Sequence, residues 1–134
     1  MSWEDLRKIY LTILIDNGFR PEIDSDGDIH FKYEGGNYFV TANCDDTYFY
    51  LLYPGFWSVE SPDKQAAALR AANATNLRMK TAKVILGRDM KVVSVTLECY
   101  VRQPSDVSSF LMRGLRSIQQ AVDVFREEMR DSLN

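Results

Sequence analysis

The sequence is poor in the residues that most enzyme and metal chemistry draws on. Its 134 residues hold one histidine, His30, and two cysteines, Cys44 and Cys99. One imidazole and two thiols cannot build a four-ligand structural zinc site without carboxylates. Neither cysteine has a second one close enough to form a C-x-x-C pair. Both fall in segments that read as strands, so two buried free thiols in a reducing cytoplasm are expected, although spacing alone leaves a disulfide open. A glycine-rich phosphate loop, a nucleophile elbow and an H-E-x-x-H helix are all missing. The expectation is a non-enzymatic chain with no catalytic residue, no metal and no cofactor. Long apolar runs are missing too. No stretch approaches the roughly 18 residues that span a membrane. The start carries Glu4, Asp5, Arg7 and Lys8 and does not read as a signal peptide. A cytoplasmic protein is expected.

Aromatic residues, in contrast, are plentiful. There are seven Phe, seven Tyr and two Trp, and ten of these sixteen lie between Phe31 and Trp57. Apolar residues make up 46% and charged residues 26%, with a formal net charge of −3, as in an ordinary soluble globular protein. The length suits one domain over 1–134, large enough to fold without a covalent or metal staple.

The chain divides cleanly into elements. Ser2 caps a first helix whose apolar stripe is Trp3, Leu6, Ile9, Tyr10, Ile13 and Leu14, and Gly18 stops it. Asp28 to Glu34 alternates as a half-buried strand, with Ile29, Phe31 and Tyr33 on one face and His30, Lys32 and Glu34 on the other. Gly35-Gly36-Asn37 reads as a hairpin turn, followed by a return strand with Tyr38, Val40, Ala42 and Cys44 on one face. Tyr48 to Tyr53 is apolar on both faces, which predicts a strand that is central or covered on both sides. Pro54-Gly55 ends this meander. Ser61-Pro62-Asp63 opens a second, alanine-rich helix ending near Asn73 and Asn76. Thr81–Leu86 and Lys91–Val101 read as two further strands. Pro104 and Ser105 open a last helix to about Arg130, carrying the seam Val107, Leu111, Leu115, Ile118, Val122, Phe125 and Met129. Gly114 inside that helix costs about 1 kcal/mol against Ala and predicts a close crossing or a bend. The order α-β-β-β-α-β-β-α predicts an α+β fold: a five-stranded antiparallel sheet, the first and last helices on one face, the second helix at an edge or in a dimer interface.

Three features could carry function. Asp24-Ser25-Asp26-Gly27-Asp28 starts like a calcium loop, but its glycine is fourth instead of sixth and the twelfth residue is Gly35, so a solvated turn is the better reading. Arg78, Lys80, Lys83, Arg88 and Lys91 form a basic stretch that could neutralise phosphates. On an acidic chain a solvated hairpin face is preferred to a nucleic-acid site. The aromatic residues Tyr48, Tyr50, Tyr53, Phe56 and Trp57 are candidate partner contacts, wherever the helices cannot reach to cover them. A small-ligand pocket between sheet and long helix is a further alternative.

Four features carry a resemblance over nearly the whole chain. They are the Leu-x-x-x-Gly-Phe run from Leu14 to Gly18-Phe19, the Asp-Gly-Asp-Ile turn from Asp26 to Ile29, Asn73-x-x-Asn76 before the fourth strand, and the long closing helix. In these the chain resembles the YbjN family, which shares its fold with the type III secretion chaperones. The resemblance implies a chaperone-like fold and a protein partner or client. It also implies a homodimer, since the chaperones are small, acidic and usually dimeric and bind extended client segments on apolar patches. YbjN proteins are labelled sensory-transduction regulators. Neither group brings a catalytic motif onto residues here. Gly18, Asn73, Asn76 and Gly114 are assigned structural roles.

Overall fold

A computed structural model of the chain describes residues 1–41 and 45–133, so Cys44 lies outside the described residues. Helix α1 (Trp3–Asp16) starts with a reciprocal cap: Ser2 Oγ accepts from the Asp5 amide, and the Asp5 carboxylate accepts from the Ser2 amide. It ends where Gly18 takes φ +89°, letting the Phe19 amide donate back to the Leu14 carbonyl. Leu6, Tyr10, Ile13 and Leu14 are buried.

Among the described residues the sheet has six strands, not the five expected. They are β1 (Glu22–Ile23), β2 (Ile29–Tyr33), β3 (Gly36–Val40), β4 (Tyr48–Ser58), β5 (Ala82–Leu86) and β6 (Val92–Tyr100). Their order is β1-β2-β3-β4-β6-β5, antiparallel throughout. The added strand, β1, is two residues long, too short to show alternation. The β2–β3 turn sits at Glu34-Gly35, both at positive φ, slightly earlier than the glycine pair suggests. Gly36 belongs to β3, where an added Cβ would lie 2.8 Å from the Tyr53 ring. Strand β4 does not stop at Pro54-Gly55. Its register with β6 slips between Tyr53 and Trp57, and this bulge absorbs the proline and glycine.

All three helices serve one face. The cross-strand row Ile23–Ile29–Val40–Leu51–Leu97–Ala82 runs over all six strands on that inner side. Helix α3 (Leu111–Leu133) buries Leu111, Leu115, Ile118, Val122, Phe125 and Met129. The turns from Pro104 to Ser109, expected as the start of that helix, form a separate 3-10 helix. Helix α2 (Pro62–Arg78) packs its small side chains Ala67, Ala68, Ala71 and Ala72 beside α3 and edge strand β5.

Candidate protein-binding surface

Among the described residues no helix covers the opposite sheet face. Cross-strand partners place Glu22, His30, Phe39, Leu52, Thr96 and Lys83 in one row across it. On one side of this row Tyr50 pairs with Glu98, and beyond it Tyr48 pairs with Tyr100. Phe39, Leu52, Tyr48 and Tyr50 are half-buried, while Tyr100 is 82% exposed. Of the two alternatives expected for this strand, central or covered on both sides, β4 takes the first: it lies between β3 and β6. Its outer side carries the half-buried Tyr48, Tyr50 and Leu52.

Glu98 organises the polar centre of this face. Its carboxylate accepts from Tyr48 Oη at 2.6 Å, from Thr96 Oγ1 at 3.1 Å and from Lys83 Nζ at 3.2 Å. Desolvation opposes its charge, but these hydrogen bonds and the Lys83 charge prevail and hold its carboxyl below the usual range. The bond to Glu98, with some desolvation, pushes the Tyr48 phenol up to about 12. Tyr50 is raised by burial and then by the Glu98 charge. The result is a fixed, internally neutralised centre ringed by three tyrosines. Such rings offer large rigid contact area with a polar tip, the usual make-up of a protein-contact patch.

The candidate aromatics divide between the two faces. Tyr48 and Tyr50 lie on the outer one. Tyr53 lies on the helix side, stacked on Tyr38 with ring centroids 4.5 Å apart. Phe56 and Trp57 meet Phe125 edge-on, at 5.4 and 5.6 Å. Sequence reasoning missed Phe39, Leu52, Glu98 and Tyr100. The signal for Tyr100 was available: it falls in the opposite phase to Val93, Val95, Leu97, Cys99 and Val101. Which residues face it across the sheet depends on strand pairing that one strand does not reveal.

The basic stretch is dispersed. Arg78 turns to α3 and pairs with Glu128 at 3.0 Å and Glu127 at 3.8 Å. Lys83 is held by Glu98, while Lys80, Arg88 and Lys91 are exposed, the latter two at the far end of the β5–β6 hairpin. His30 hydrogen-bonds Asn37 at 2.8 Å and packs on Phe39. Asp24, Asp26 and Asp28 bring carboxylate oxygens within 4.8 Å of one another. Asp24 Oδ1 is already engaged by the amides of Asp26 and Asp28, as in an Asx turn.

The two asparagines differ. Asn76 donates to the Val84 carbonyl at 2.9 Å and accepts from the Val84 amide at 2.8 Å, whereas Asn73 is exposed. Edge strands leave such groups unpaired, and here a side chain occupies them. Gly114 is buried, and a Cβ on it would lie 3.1 Å from Leu97 Cδ1. Cys99 carries a free thiol, partly exposed where full burial was expected, and burial raises its pKa.

No family model matches the sequence, and no curated protein matches it. Solved structures do match in fold. YbjN from E. coli superposes with a TM-score of 0.64 at 15% identity, over 98% of this chain and 94% of that one. A chain of the HopA1–SchA chaperone–effector complex gives 0.64 at 14% identity, over 95% and 98%. The Yersinia pestis type III secretion chaperone SycH, in complex with a stable fragment of YscM2, gives 0.53 at 15% identity, over 92% and 99%. The chain thus has the α+β fold shared by YbjN and the type III secretion chaperones.

Proposed function

We propose that the protein is a non-enzymatic protein-binding module, chaperone-like or regulatory, working in the cytoplasm as a homodimer. The observation that carries this reading is the uncovered sheet face with Tyr48, Tyr50 and Tyr100 around a neutralised Glu98. The fold neighbours support it, since one comes from a chaperone–effector complex and another is a type III secretion chaperone in complex with a fragment of YscM2. The dispersed basic residues argue against a continuous phosphate-binding track. The homodimer draws support from the outer side of α2, where Leu69 and Leu77 are 48% and 79% exposed. Among the described residues no helix is long and apolar enough to cross a membrane.

Affinity capture from the native host, read by mass spectrometry, tests the reading. A partner enriched on the wild type and lost on a Tyr50→Ser/Tyr100→Glu variant is expected. Turnover of a substrate by the purified protein, abolished by a site variant, would overturn it.

A further inference from the structure

A groove of about 430 Å³ runs between the start of α3 and the end of the sheet where β5 begins. Its floor and walls are Leu97, Cys99 and Phe110, with Arg113, Gly114 and Ser117 along the helix side. A helix interior disfavours glycine, yet Gly114 is what brings α3 down onto Leu97: any side chain here would start 3.1 Å from Leu97 Cδ1. Arg113 and Ser117 are four residues apart and share one helix face. Among the described residues Arg113 forms no ion pair, and it is exposed at the rim. Glu98 also borders the groove, but its carboxylate is turned to Lys83 and Tyr48 on the outer face. The groove therefore combines an apolar floor with one uncompensated positive charge.

We propose that this groove binds a small amphiphilic monocarboxylate, its carboxylate on Arg113 and its hydrocarbon body over Leu97 and Phe110. Charge complementarity selects the anion, and a guanidinium takes a carboxylate through paired N–H donors. Volume and lining fit a ligand of several carbons, since small-molecule sites are mostly apolar clefts of about 300–1,000 Å³ with few polar groups. The proposed ligand contacts, Arg113, Leu97 and Phe110, are on the helix side of the sheet and none belongs to the tyrosine face, so their failure would leave the protein-binding reading intact.

Decanoate is the probe and decanol its neutral control. Binding is followed by calorimetry, and occupancy by the alkylation rate of Cys99, read by peptide mass mapping apart from Cys44. Decanoate should bind saturably and slow Cys99 alkylation several-fold. Arg113→Gln, an exposed position, should weaken decanoate about tenfold or more while leaving decanol unchanged. Gly114→Val should weaken both, with circular dichroism reporting whether it folds. Absence of saturable decanoate binding at millimolar concentration would overturn the proposal. So would decanoate affinity unchanged by Arg113→Gln, or binding without Cys99 protection.

Discussion

Asn76 shows how much one side chain does at the edge of this sheet. Its amide meets both polar groups of Val84, on a strand that pairs on one side only. Asn76→Ala should cost about 1–3 kcal/mol, because both backbone groups lose their partner. Asn73→Ala, at an exposed position, should stay within about 0.5 kcal/mol. Urea unfolding of the two variants checks the contrast, and equal losses would contradict the assignment. The tyrosines give a second test. Burial pushes the Tyr10 phenol up to about 12, and its hydrogen bond to Glu98 does the same for Tyr48. Tyr38 is raised further, by burial under α3, against the hydrogen bond that Gln119 donates to it. These phenols hold their protons in the folded chain above the ordinary tyrosine value of about 10. The folded state then binds more protons than the unfolded one between about pH 10 and 12. Stability is intact below about 10 and falls as pH rises toward 12. Tyrosinate absorbance should lag behind seven ordinary phenols and catch up as the ellipticity is lost. Full ionisation near pH 10 in a still folded protein would contradict this.

At the scale of elements, α3 is set by two opposed terms at one position. Replacing Gly114 by alanine gains about 1 kcal/mol of helix propensity but presses a methyl on Leu97. Gly114→Ala should therefore change the thermal midpoint little, while Gly114→Val should cost about 1–3 kcal/mol by overpacking. A large loss for the alanine variant would mean that Leu97 cannot yield. The elements themselves were largely legible in the sequence. Helix stripes, caps and alternating strands depend on local chemistry, and the seam from Leu111 to Met129 is buried as its spacing implies. What escaped local reading depended on pairing. The two residues of β1 become a strand only because Ile29 and His30 lie beside them. Pro54-Gly55 reads as a stop but is carried through as a bulge because β6 continues alongside. The candidate surface was half legible for the same reason. Tyr48 and Tyr50 stand out as aromatics, but their separation from Tyr53, Phe56 and Trp57 depends on which face the helices take. Glu98 becomes their centre only through its register opposite Tyr50.

The whole molecule is a one-sided layer structure: three helices on one face of a sheet, and an outer face of tyrosines held around a carboxylate. A second copy is expected on the outer side of α2. Light scattering should give twice 15.4 kDa, and Leu69→Glu/Leu77→Glu should return it to the monomer. A monomer at high concentration would remove the dimer and leave the outer face as the binding surface. The central claim is that a protein partner sits on that face. Limited tyrosine nitration, read residue by residue with and without the captured partner, tests it most directly. Tyr100, 82% exposed in the free chain, should be modified quickly alone and protected in the complex, together with Tyr48. Undiminished nitration of Tyr100 in a fully bound sample would contradict the account.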